Sequence, residues 1–168
     1  PQDGLPMGTR AGAIDAAIVD YIVDQRGNST KRVESALNKE SGVLGISGIS
    51  SDFRDLEAAA AEGNERAQLA IDVFCYKVTK RIGSCAAAMG GLDAVVFTAG
   101  VGENSARMRK EVVNRLAWMG VQIDDGKNAV RSDDPREIST PDSKIHVWVI
   151  PTNEEYMIAL DVKELLGK

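Results

Sequence analysis

The sequence has 168 residues, 43% hydrophobic and 27% charged, with a net charge of −5 mixed along the chain. This suits one soluble globular domain with a real core and is too short for two large ones. No basic block is present to grip a phosphate backbone, and no apolar run approaches the ~18 residues of a membrane helix, so nucleic-acid and membrane partners are not expected.

Residues 1–12, with Gly4, Pro6, Gly8 and Gly12, read as a loop. The opening Pro1-Gln2-Asp3-Gly4 carries neither Met nor leader, which reads as an excised piece of a cytoplasmic protein. Over residues 13–25, Ile14, Ala17, Ile18, Tyr21 and Ile22 recur at helical spacing, and Gly27 and Asn28 end that helix. A second helix covers 30–39, with Val33, Ala36 and Leu37 on one side. Residues 41–50 form a small-residue loop, and Ser51-Asp52 caps a helix through about 61.

The longest helix runs from 64 to about 89 on the stripe Ala67, Ala70, Ile71, Phe74, Val78, Ile82, Cys85 and Met89. Cys75 and Cys85 lie along it, about 15 Å apart at ~1.5 Å per residue, beyond the roughly 7 Å reach of a disulfide. They read as buried thiols in a reducing compartment. Residues 93–97 suit a strand buried on both faces. A glycine loop, 98–104, leads to a helix through about 119, then a strand near 121–123 and a polar loop. A buried strand at 145–150 and a terminal helix from Thr152 complete the chain. Strands alternating with helices indicate an α/β fold, helix-rich with a few mostly parallel strands. Three strands are few for so many helices, so further strands are expected upstream of Pro1.

Several positions have the chemistry of a site. At Phe97-Thr98-Ala99-Gly100-Val101-Gly102-Glu103-Asn104-Ser105, paired glycines either make a tight turn or let the backbone approach an anion. The segment lacks the third glycine of a dinucleotide fingerprint and the Lys-Ser/Thr of a P-loop. Asp52, Phe53 and Arg54 either cap a helix or hold a nucleoside by hydrogen bonding and stacking. Arg10, in a glycine loop, is a surface arginine or a planar contact to phosphate oxygens. Thr152 and Glu155 have capping-box spacing, leaving Glu154 to favour the helix end or to hold Mg²⁺. His146, the single histidine, reads as a core residue of its strand; there is no zinc set and no Ser-His-Asp set.

In this order the segments resemble the acetate kinase family. The matching stretches are Gly4 to Arg10, Leu37 to Gly48, Ser51 to Asp55, Ala87 to Asp93, Phe97 to Ser105 and Val149 to Glu155. The resemblance covers nearly the whole chain. It implies the C-terminal nucleotide-binding domain of a carboxylate kinase of the acetate/sugar kinase–Hsp70–actin superfamily, a partial ribonuclease H-like (actin-like ATPase) domain. Such enzymes transfer the γ-phosphoryl of ATP reversibly to a short carboxylate.

By the same resemblance, Arg10 steadies the transferring phosphoryl group and Asp52, Phe53 and Arg54 line the nucleoside pocket. Gly100, Val101, Gly102, Glu103 and Asn104 meet the nucleotide, and Glu154 is associated with Mg²⁺. Ala11, Ala13 and Ala16 stand where the family reads Ser, Asp and Pro. The family's N-terminal domain, with its acyl pocket, has no counterpart here. The expectation is therefore a piece with a partial nucleotide site, inactive alone, from a homodimeric cytoplasmic enzyme using acetate, ATP/ADP and Mg²⁺. A propionate kinase and a non-catalytic dimerisation piece are the alternatives.

Overall fold

The computed structural model describes residues 4–27 and 29–167, except the Arg26 side chain. The chain divides into two compact units, Pro1–Gly91 and Leu92–Lys168. The first unit is helical: α1 (Ala17–Arg26), α2 (Thr30–Lys39), α3 (Gly42–Ser47), α4 (Phe53–Ala61) and α5 (Glu65–Met89). Ser29, Asp52 and Asn64 cap α2, α4 and α5 by accepting backbone N–H groups, as short polar side chains at helix starts do. α1 begins later than its apolar pattern predicts, because the Asp15 carboxylate accepts from Ala17 N at 2.9 Å and starts the helix there. The expected stop at Asn28 lies outside the described residues.

The predicted 41–50 loop instead contains α3. Gly42 has φ +60, and its Cβ position lies 2.1 Å from Met7 O, so only glycine permits this approach. Met7 O and Gly8 O then accept from Val43 N and Leu44 N at 2.9 and 3.0 Å, supplying the start of α3 with acceptors.

α3 and α4 pack on the first half of α5, around Val43, Leu56, Ala67, Ala70, Ile71 and Cys75. Phe53 of α4 meets Phe74 of α5 edge to face, with centroids 4.6 Å apart. The predicted stripe is buried only there: Cys85 and Met89 are exposed, so Cys85 is not a core thiol. No helix among the described residues is long and apolar enough to cross a membrane.

The second unit holds β1 (Ala94–Phe97), α6 (Ala99–Asn104), α7 (Ala106–Arg115), a 3₁₀ turn at Ala117–Met119, α8 (Asp125–Ala129), β2 (Arg136–Glu137), β3 (His146–Val149) and α9 (Glu154–Leu165). Sheet order is β1-β3-β2: β1 pairs parallel to β3, and the short β2 pairs antiparallel to it. Val95, Val147 and Val149 point to a core with Met108, Val112, Val113 and Ile138.

Several expectations change here. β1 is not buried on both faces; its side chains alternate, with Val95 buried and Val96 exposed on the uncovered face. The predicted glycine loop is α6. The helix behind it stops at Arg115, and residue 123 makes one bridge to Ser139 in place of a strand. β2 and α8 lie in the predicted polar loop. His146 is not in the core: strand alternation turns it outward, where Nδ1 lies 2.7 Å from Glu137 Oε1.

Candidate functional site

In the first unit, the loop carrying Arg10 is fixed by its main chain. Met7 N donates to Arg10 O, Ala11 N to Leu37 O and Ser41 N to Thr9 O, each at 2.9 Å. Gly12, at φ +77, lets the loop close on Leu5, where a Cβ would stand 2.5 Å from the carbonyl oxygen. The Arg10 side chain projects exposed from this pinned backbone. A Cβ on Gly8 would lie 3.1 Å from Ser51 O, so the Arg10 loop adjoins the entry to α4.

At that entry Asp52 has two tasks. Its Oδ1 accepts from Arg54 N at 2.9 Å, capping α4, and both its oxygens receive the Arg54 guanidinium. The Arg54 side-chain bonds, then its backbone N–H, hold the Asp52 carboxyl down at about 2. Arg54 is 90% exposed, so this pair is free to exchange partners with a ligand. Phe53 is half-buried, its ring engaged by Phe74. The groove between α1 and α2, lined by Tyr21, Ile22, Val33 and Leu37, contains none of the candidate residues.

In the second unit, the register pairs Phe97 with Val149, and Ile150 N donates to Phe97 O at 2.9 Å. The connections after β1 and β3 therefore leave the sheet side by side. One carries Gly100, Val101, Gly102, Glu103 and Asn104; the other carries Thr152 and Glu154. The carboxyl end of parallel strands is where open α/β sheets take ligands. The two glycines differ in task. A Cβ on Gly102 would meet Phe97 C at 3.3 Å, so that glycine packs on β1, whereas a Cβ on Gly100 has nothing within 4 Å, so the space beside that residue is unfilled. Ala99 carries the positive φ, +57, that turns the chain out of the strand.

Three contacts in this region are not foreseen by sequence reasoning. Arg109, buried at 2% exposure, gathers the carbonyl oxygens of Gly102 and Glu103 at 2.9 and 2.8 Å. Its remaining donors go to Asn128 Oδ1 and Asn128 O, both at 2.7 Å. Glu103 Oε1 accepts from Thr152 N and Oγ1 at 2.8 and 3.1 Å. Thr152 is thus not the helix cap: its hydroxyl serves Glu103, and Asn153 Oδ1 caps α9 by accepting from Tyr156 N at 3.1 Å. The i+3 spacing of Thr152 and Glu155 was the only local signal, and it pointed to the wrong partner. Glu154 opens α9 with its side chain exposed.

A family model described as the acetokinase family matches residues 1–160. The chain belongs to the acetokinase family.

It is 52% identical over 166 residues to the acetate kinase of Methanosarcina thermophila, covering 99% of this chain and 40% of that protein. To the acetate kinase of Caldicellulosiruptor saccharolyticus it is 54% identical over 169 residues, covering 100% and 42%. The structure of Porphyromonas gingivalis acetate kinase superposes with a TM-score of 0.91 at 44% identity, over 99% of this chain and 42% of that one. A propionate kinase from Francisella tularensis gives 0.87 at 44% identity, over 95% and 40%. The chain thus spans about 40% of the length of its relatives. Its helix-rich α/β architecture is the one the acetokinase family resemblance implies, that of actin-like ATPases.

Within this acetokinase chain, no cluster of three His, Cys, Asp or Glu able to hold a metal occurs among the described residues. Glu154 still fits Mg²⁺, which takes one or two carboxylates and completes its shell with water and phosphate oxygens.

Proposed function

We propose that this chain is the C-terminal nucleotide-binding domain of an acetate kinase. The enzyme transfers the γ-phosphoryl group of ATP to acetate, reversibly, giving acetyl phosphate and ADP. The unfilled space at Gly100 beside the Glu154 connection, at the carboxyl end of a parallel pair, is the observation that carries this reading. Phosphoryl transfer asks a protein for positioning and for neutralisation of charge on the moving oxygens. The exposed guanidinium of Arg10 on its pinned loop suits the moving phosphoryl group. Asp52, Phe53 and Arg54 serve the nucleoside, and Gly100, Val101, Gly102 and Asn104 its phosphate side. Glu154 holds Mg²⁺, which neutralises phosphate charge when bound.

Residues 1–168 form this domain without its first strands, and the acyl pocket belongs to an N-terminal domain of the longer protein. That protein is a cytoplasmic homodimer acting on acetate and ATP, with no nucleic-acid or membrane partner; exposed Tyr156, Ile158 and Leu165 support association. The similarity to a propionate kinase favours one second reading, a preference for the longer acyl chain. A panel of short carboxylates on the full-length enzyme separates the two.

The test is acetyl phosphate formation in a coupled assay. The full-length enzyme is active, and its Arg10→Ala variant loses about a thousandfold in turnover. The isolated chain is inactive. Robust synthesis by the chain alone, or full activity after Arg10→Ala, contradicts the proposal.

A further inference from the structure

Glu103 is held at both ends. Its main-chain carbonyl accepts from buried Arg109 at 2.8 Å, and its Oε1 accepts both donors of Thr152, 49 residues away. Asn104, next in sequence, closes back on Gly100 O through Nδ2 at 2.9 Å. Thr152 stands two residues before Glu154. Every described residue of α9 is exposed, so the helix has no packed face of its own to fix where Glu154 stands. The Asn153 cap closes the first turn of α9 but does not tie it to the sheet.

We infer that Glu103 is a positioning residue: its carboxylate latches Thr152 and so sets where Glu154 stands relative to Gly100. Both Thr152 donors fall on Oε1, which commits that oxygen to holding the second connection in place. The Thr152 N–H first, with the Thr152 hydroxyl, Ala99 N–H and Arg136 charge adding to it, holds the Glu103 carboxyl below the usual carboxylate range. Arg136 lies in β2 opposite Val149, at the carboxyl end of β3. The metal-dependent part of nucleotide binding then depends on the latch, an inference that rests on the nucleotide-binding reading above.

The test titrates the 168-residue chain with ADP, with and without Mg²⁺, in five forms: wild type, Glu103→Ala, Glu103→Gln, Glu154→Gln and the Glu103→Ala/Glu154→Gln double variant. Amide hydrogen exchange at Thr152 is followed in parallel. Loss of a group that orients a metal ligand costs about ten- to a hundredfold in affinity. Glu103→Ala is expected to lose that much for Mg-ADP, little for metal-free ADP, and nothing further in the Glu154→Gln background. Glu103→Gln, whose amide oxygen can accept both Thr152 donors, restores most of the affinity. Thr152 exchange speeds up in Glu103→Ala but not in Glu103→Gln.

Equal losses with and without Mg²⁺, full additivity with Glu154→Gln, or unchanged Thr152 exchange overturn the inference while leaving the nucleotide reading standing. Absence of Mg-ADP binding by the wild-type chain overturns both. Faster Thr152 exchange in Glu103→Ala would then show a latch that positions no ligand.

Discussion

Arg109 grips Asn128 twice: Nε meets the side-chain Oδ1 and Nη2 meets the main-chain oxygen, both at 2.7 Å. Asn128 Nδ2 in turn donates to Ala106 O at 2.9 Å, linking α8 to the first turn of α7. Burial first, and the Arg136 charge second, bring the Arg109 pKa down to about 10, so it remains a cation at neutral pH. Its acceptors here are neutral oxygens. Asn128→Ala removes one of them and strips Ala106 O of its side-chain donor. The expected cost is about 2–3 kcal/mol, read from the urea midpoint; a loss below about 0.5 kcal/mol contradicts the buried network.

Gly42 and Gly100 make a matched pair. Alanine at Gly42 must adopt φ +60 with Cβ 2.1 Å from Met7 O and 2.8 Å from Arg10 O. Strain and overpacking together cost about 3 kcal/mol or more, and the Arg10 loop is displaced. Alanine at Gly100 meets nothing within 4 Å, so its melting temperature stays at the wild-type value. Its effect falls on nucleotide affinity, with a loss of about tenfold. Parallel thermal melts and ADP titrations check both halves.

Asp52 predicts a pH dependence with a definite sign. Its carboxyl goes from the ordinary 3.8 to about 2 in the folded chain, chiefly through the Arg54 side chain. A depressed carboxyl contributes stability that is complete above the unfolded value and is lost as pH falls through the folded one. Asp52→Asn keeps a capping oxygen but loses the ion pair. The wild type should therefore be the more stable above pH 4, with the difference shrinking as acid approaches pH 2. Denaturant melts at several pH values test this, and a gap independent of pH contradicts it.

The two thiols separate by exposure. Cys75 is buried against α3 and α4, and Cys85 is exposed on the far half of α5. A thiol reagent should modify one cysteine in the native chain and the second only after unfolding. Mass spectrometry of the labelled peptides assigns the site.

Helix ends with a short polar cap were legible from the sequence: Asp52 before α4, and Gly63-Asn64 before α5. So were β1 and β3, whose apolar runs begin and end within two residues of the observed strands. α3 was not legible, because the acceptors that start it, Met7 O and Gly8 O, lie more than thirty residues away. β2 has two polar residues and exists only as a partner to β3, so it has no period of its own to read. The outward turn of His146 was present in the alternation of Ile145, Val147 and Val149, which a reading of the strand as wholly buried overlooked. For the site, residue types and order pointed to Arg10, Asp52 and Gly100. The buried Arg109–Asn128 pair and the Glu103–Thr152 contact are long-range pairings with no local pattern.

The most direct measurement is a calorimetric titration of the chain with Mg-ADP, beside Glu154→Gln. The account predicts saturable binding that Mg²⁺ strengthens, weakened about tenfold by the substitution with no change in melting temperature. No saturable heat, or identical curves for the two proteins, would contradict a nucleotide site at the carboxyl end of β1 and β3.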